Sequence, residues 1–284
     1  MDSNRRFLFA SDFHYDCREK LYDGKGYQYD YGEEADDRME SLLALICEEH
    51  EKRPFDGIFF LGDNAHERYE NVVAFMEKYV SRIPCPVYMI PGNHEGHANE
   101  QWKAAVGTDR QYTVDLGDLH FWMVDSFWEV THPHRLQQPD WEYLKREAER
   151  CCDGQVFLCC HYIHWDCEEL AQWISEQSNL VAIFHGHSHN SYPRLEQFGG
   201  KKVVSSGNYS YGLDMRDEPN WGEKWGWSVT ELTEAAGLWQ CRKIFPEFYY
   251  PLAQLTYPNR FADRVAEDQD IKRHYGAWEC LLEK

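Results

Sequence analysis

Gly57-Ile58-Phe59-Phe60-Leu61-Gly62-Asp63-Asn64 is the stretch from which the fold can be read. Four large apolar residues in a row, with no polar alternation, describe a short strand covered on both faces. A glycine ends the run, and an aspartate stands just past its carboxyl end. The same arrangement recurs along the chain. Phe7-Leu8-Phe9-Ala10 leads into Asp12-Phe13-His14, and Val87-Tyr88-Met89-Ile90 into Gly92-Asn93-His94-Glu95. Val156 to Cys160 leads into His161, and Val181-Ala182-Ile183-Phe184 into Gly186-His187-Ser188-His189. In layered α/β proteins, ligands collect at the carboxyl ends of strands.

Amphipathic stretches separate these runs. Glu33 to Lys52 carries Met39, Leu42, Leu43 and Ile46 at helical spacing, and Glu67 to Arg82 carries Val72, Phe75, Met76 and Tyr79. Further helices are expected around 141–150 and 168–177. Strands near 111–116 and 119–124, joined through Gly117-Asp118, read as a hairpin. More strands are expected at 202–205, 225–232 and 237–244. Strands alternating with helices predict an α/β layered fold, and the hairpins predict mixed sheets in place of one parallel sheet. No linker or repeat divides the chain, so one domain is expected over 1–284, with an extension from Phe248 onward whose role is unassigned.

Composition narrows the function classes. Hydrophobic residues make up 43% and aromatic residues 15%, which rules out a disordered chain. Asp and Glu outnumber Lys and Arg by 49 to 29, giving a formal charge of -20. That balance argues against long nucleic acid, whose phosphates need clustered cations, and against an anionic membrane surface. It permits a small phosphate ester, because bound metal cations invert the local field. No apolar stretch approaches the ~20 residues of a membrane span, and Met1 to Arg6 does not resemble a signal peptide. A cytoplasmic location is therefore expected, with the 10 cysteines reduced; Cys47, Cys159 and Cys160 lie in apolar runs as small hydrophobes, and the adjacent pairs Cys151-Cys152 and Cys159-Cys160 are expected to serve packing.

Any one Asp or His past a strand is ordinarily a turn, cap or hydrogen-bonded core residue. The set is another matter. Carboxylate, carboxamide and neutral imidazole are donors that borderline divalent metals accept. Converging carboxylates without a cation would repel and lose solvation.

In order and spacing these blocks resemble the calcineurin-like metallophosphoesterase superfamily, whose signature runs D-x-H, G-D, G-N-H-[D/E], a strand-terminal H, and G-H-x-H. The match spans residues 12 to 189. The resemblance implies a four-layer sandwich of two mixed β-sheets flanked by helices. It implies that Asp12, His14 and His189 hold one metal ion, that Asn93, His161 and His187 hold a second, and that Asp63 bridges both. Mn, Fe or Zn would suit this mixed nitrogen and oxygen set. The implied reaction is hydrolysis of a phosphomonoester or phosphodiester by in-line attack of a metal-bridging hydroxide, with the ions ~3.5–4 Å apart. Asp63 and Asn93 would belong to the catalytic centre as ligands. His94, which is not required as a ligand, would protonate the leaving group or stabilise the transition state.

Two departures matter. The serine/threonine protein phosphatases carry an Asp three residues after the bridging Asp, and here that position is His66. The purple acid phosphatases lack the first His and use a Tyr ligand, whereas this chain has His14. Other features stay open at this level. His66, His97 and His164 could touch substrate or serve as polar supports, and His185 is expected to bond locally. The segment from Tyr15 to Gly32, with Tyr15, Tyr22, Tyr27, Tyr29 and Tyr31, could stack on a leaving group or simply cover the surface. The stretch from Ser126 to Pro139 poses the same question. The competing functional reading is a non-catalytic scaffold that kept the fold; such a chain should have lost ligands, and none is missing from the sequence. A structural metal site would favour a Cys-rich set.

Overall fold

A computed structural model describes residues 5–17, 33–127, 136–188, 195–207, 209, 228–244 and 279–282. In it β1 (Arg6–Ala10) and β2 (Gly57–Leu61) are buried along their whole length, as their unbroken apolar runs require. Side chains alternate across the pleat, so Phe7, Phe9, Phe59 and Leu61 enter one core while Leu8, Ala10, Ile58 and Phe60 enter another.

β1 pairs in parallel with β2, and β2 with β3 (Val87–Ile90). On its other side β1 meets β10 (Val229–Ala235) antiparallel, followed by β11 (Leu238–Ile244) and β12 (Glu279–Leu282). The second sheet has the order β4 (Tyr112–Leu116), β5 (Leu119–Val124), β6 (Gln155–Cys160), β7 (Leu180–His185), β9 (Lys201–Ser205), β8 (Leu195–Phe198). Its central pairs, from β5 to β9, are parallel, and both edge strands run antiparallel to their neighbours. Both sheets are therefore mixed, as expected from the hairpins.

The sheets meet face to face through aromatic side chains. Phe9 stacks on Phe184 across the interface with centroids 3.9 Å apart and rings within 4° of parallel. Phe59, Phe121, Phe157 and Trp239 complete this layer. Helices cover the outer faces. α1 (Glu33–Lys52), α2 (Tyr69–Lys78) and α3 (Asn99–Val106) pack on the first sheet through Met39, Ile46, Phe75 and Trp102. α4 (Trp141–Arg150) and α5 (Glu168–Glu176) pack on the second through Leu144, Leu170 and Ile174. The result is the four-layer sandwich that the family resemblance implied.

Several boundaries differ from the sequence reading. α2 starts at Tyr69 because Glu67 sits at φ 51°, in the left-handed region, and cannot begin a helix. β10 starts at Val229, and 221–227 lie outside the described residues. α3 and β8 are too short for periodicity to show. β12 belongs to the C-terminal extension and adds an edge strand to the first sheet; 248–278 lie outside the described residues. Among the described residues no helix is long and apolar enough to cross a membrane. Cys151, Cys159 and Cys160 are free thiols buried as expected, whereas Cys152, the other half of the first pair, is a free thiol exposed at the surface and does not pack.

Candidate metal centre

Parallel strands β1 and β2 end side by side, and their backbone pairing continues into the loops. Asp12 N–H donates to Gly62 O (3.0 Å), His14 N–H to Asp63 O (2.9 Å) and Tyr15 N–H to Asn64 O (3.2 Å). This ladder puts the Asp12-Phe13-His14 and Gly62-Asp63 blocks in register. Across the sandwich, Gly186 N–H donates to His161 O (3.0 Å), joining the two His-bearing loops of the second sheet. The His187 N–H lies 3.0 Å from Asp12 Oδ2, tying one sheet to the other.

The side chains converge at this edge. One donor atom each from Asp12, His14 and Asp63 lies within 4.8 Å of the others, and the same holds for Asp63, His161 and His187. Asp63 belongs to both groups. Its Oδ2 faces His14 Nε2 at 3.5 Å and His161 Nε2 at 3.2 Å, while Oδ1 accepts the His94 N–H at 3.0 Å. Asn93 Oδ1 is 3.2 Å from His161 Nε2 and 2.9 Å from His187 Nδ1, and those two nitrogens are 3.3 Å apart. Of the residues expected to ligate, Asp12, His14, Asp63, Asn93, His161 and His187 are thus brought together. His189 lies outside the described residues.

The donor spacing suits metal ions. A bond of about 2.0–2.1 Å from a small divalent ion puts neighbouring donor atoms roughly 3.0–3.4 Å apart. The contacts among Asp63, Asn93, His161 and His187 fall at 2.9–3.3 Å. The protonation pattern agrees. His161 Nδ1 lies 2.8 Å from Leu61 O, which can only accept, so Nδ1 carries the proton. Nε2 is left facing the oxygens of Asp63 and Asn93, an arrangement that calls for a proton or a metal cation between them.

Electrostatics report the same demand for positive charge. Burial alone would lower the His161 pKa, but the Asp63 carboxylate overrides it and raises the pKa to about 9. Burial would raise the Asp63 pKa, yet His161 and His14 hold it well below the ordinary carboxylate value. A proton here does what a bound cation would do.

Backbone conformation shows what the site demands of the chain. Asp12, His14, Asp63 and His187 all have φ between 45° and 66°. Non-glycine residues seldom adopt this region, and such strain gathers at functional sites. The neighbouring glycines are needed for close approach. A Cβ on Gly92 would lie 2.2 Å from Asp63 Oδ1, and one on Gly62 would lie 2.5 Å from His161 Nδ1.

The sequence profile of the calcineurin-like phosphoesterase family matches residues 5–191. The chain belongs to that family. Family membership and the donor set together place it among metal-dependent phosphoesterases. Among solved structures, a dimetal phosphatase from Danio rerio is 11% identical with a TM-score of 0.61, over 84% of this chain and 95% of that one. The sulfate thiohydrolase SoxB of Thermus thermophilus, solved with glycerol, is 13% identical with a TM-score of 0.51, over 95% of this chain and 60% of that one. At such identities the likeness is one of fold. Among curated proteins none matches the chain at a significant level of sequence similarity.

Within this phosphoesterase-family site, several supports carry roles the sequence reading left unassigned. Glu95 is fully buried and accepts three backbone N–H groups, from Asp63 (3.0 Å), Ala65 (2.7 Å) and Gly92 (2.6 Å). Burial and the nearby Asp63 charge push its pKa up to about 7 against the pull of the Gly92 and Ala65 amides. Arg110 pairs with buried Asp125 at 2.7 Å and donates to the carbonyls of Glu95, His97 and Phe127. Phe127 and Tyr162 pack on the His187 ring. Asp125 directly follows β5 and is not among the residues singled out from the sequence, though an acid past a strand end is the signal that could have found it; Arg110 carried no signal, because its partner is 15 residues away.

The open histidines separate. His66 joins the site beside His14 and His94. His164 Nε2 bonds Gln137 O at 2.5 Å, and His97 packs edge-on against Tyr69. His185 Nδ1 bonds Gly186 O at 2.8 Å, and burial lowers its pKa to about 4, so it bonds locally as expected. Tyr15 does not line the site. It is fully buried against Phe75 and Tyr79, and its hydroxyl donates to Asp36 at 2.9 Å. Tyr22, Tyr27, Tyr29 and Tyr31 lie outside the described residues, as do 128–135.

Proposed function

We propose that this chain hydrolyses a small phosphate monoester or diester at a two-metal centre. The observation that carries the reading is Asp63, whose carboxylate belongs to two donor groups at once, one with Asp12 and His14 and one with His161 and His187. Two divalent ions held there would supply an activated water and offset charge growing on the phosphoryl oxygens. Mn, Fe and Zn suit the mixed donors.

The chain's own residues divide the remaining work. Asp63 and Asn93 orient the two halves of the site toward each other. His161 presents Nε2 because its Nδ1–H is spent on Leu61 O. Half-buried His94 stands beside the centre, its ring 4.7 Å from that of His14, with a backbone tied to Asp63 Oδ1. From there it donates a proton to the leaving oxygen, a contribution of typically 10²–10⁴-fold. The excess of acid over base, 49 to 29, supports a small ester over a polyanion such as long nucleic acid.

The test is a metal-by-substrate screen. Metal-stripped protein is reloaded with Mn, Fe or Zn and assayed on a phosphomonoester, a linear phosphodiester and cyclic nucleotides. Turnover that requires metal, and falls at least 10²-fold in His94→Ala with metal content unchanged, is expected. Absence of turnover with every ion would favour a scaffold.

A further inference from the structure

We infer that His66 is a positioning residue for His94, holding the leaving-group imidazole by stacking on its ring. The inference rests on the proposed role of His94.

The two rings lie 4.8 Å apart between centroids and 26° from parallel. His14 meets the His94 ring edge-on at 4.7 Å and 81°, so His94 is bounded by a face on one ring and an edge on another. One nitrogen from each of the three imidazoles lies within 4.8 Å of the others. An imidazole turns about a broad, roughly two-fold terminal torsion, so its plane is set by what packs against it. An off-line proton donor is a poor one, since a misplacement of about 1 Å can cost on the order of 10²-fold in rate.

His66 is built to serve as that reference surface. It is 7% exposed. Its N–H donates to Tyr15 O (2.9 Å), and its carbonyl accepts from Asn71 Nδ2 (2.6 Å). Asn71 is itself fully buried and accepts the Cys17 N–H at 3.1 Å. The next residue, Glu67, donates its N–H to His94 O at 3.0 Å. The two loops are thus cross-linked between His94 itself and the residue after His66, and this fixes the register of the stack. In the serine/threonine phosphatases the same position holds an Asp that orients the histidine. Here an aromatic face takes that place.

The experiment compares His66→Ala and His66→Phe on two esters, one with an alkyl leaving group that needs protonation and one with p-nitrophenolate, which leaves readily without it. For His66→Ala, kcat is expected to fall about 10–100-fold on the alkyl ester and less than about 3-fold on the aryl ester, with KM and bound metal unchanged. His66→Phe keeps a ring to stack on and is expected to restore alkyl-ester kcat to within about 3-fold of wild type. The ratio of the two activities does not depend on the fraction of folded enzyme. Equal losses on both esters, or a Phe variant no better than Ala, would overturn the inference. Wild-type protein that turns over neither ester would instead overturn the underlying reading of the site.

Discussion

Glu95 Oε2 accepts the backbone N–H of Asp63 at 3.0 Å, so the acid following β3 sets the position of the acid following β2. A fully buried carboxylate with three amide donors is rigid, and it fixes the loop that carries Asp63, the proposed bridging ligand. Glu95→Gln replaces one acceptor oxygen by an NH2 that must face another N–H. We expect a loss of about 2–3 kcal/mol in denaturant unfolding. Metal affinity should fall roughly 10–100-fold in equilibrium dialysis.

Gly92 packs directly against Asp63. A methyl there would lie 2.2 Å from Asp63 Oδ1 and 2.5 Å from its backbone nitrogen. Gly92→Ala should therefore displace Asp63, with bound metal falling below one ion per chain. A variant that keeps full metal content would show that the loop yields.

The pH dependence of the metal-free protein has a definite sign. His161 is raised from 6.5 to about 9, so its contribution is complete below the unfolded value and is lost as pH rises through 9. Glu95 is raised from 4.5 to about 7, and its contribution is likewise lost on the alkaline side. Asp63 is lowered, so its contribution disappears as pH falls below the ordinary 3.8. Thermal melts of metal-free protein should peak near about pH 4, between the unfolded values of Asp63 and Glu95, and decline from there toward pH 9. Metal-loaded protein should lose that decline, because ligation needs neutral imidazole and ionised carboxylate.

The buried Arg110–Asp125 pair braces the Asn93 to Ala98 loop against β5. Arg110→Met strands a buried carboxylate and should cost about 3–5 kcal/mol. Adding Asp125→Leu should recover part of that loss. A single variant within 1 kcal/mol of wild type would show that the pair is not a brace.

What the sequence made legible follows from the physics of each element. β1, β2 and β7 are covered on both faces, so Phe7 to Ala10, Gly57 to Leu61 and Val181 to Phe184 had to be unbroken apolar runs. The residues past their ends were legible for the same reason, since Asp12, Asp63 and His187 have no role in a core. Parallel pairing of β1 with β2 then brings Asp12 and Asp63 together without further instruction. Less was legible where partners are set by the tertiary fold. Nothing local marks Arg110 as the partner of Asp125, or His66 as a surface for His94. Tyr15 read as a loop residue and became core, because the ladder from His14 to Asn64 draws it beneath α2. α3 escaped notice because it has a single fully buried anchor, Trp102, and no side-chain cap.

The central claim concerns one carboxylate shared by two ions, and metal stoichiometry tests it most directly. Elemental analysis of reloaded protein should give two ions per chain for wild type and fewer than one for Asp63→Ala, while His161→Ala keeps about one, since the group of Asp12, His14 and Asp63 stays intact. Wild-type protein that binds a single ion, or an Asp63→Ala variant that still binds two, would contradict the account.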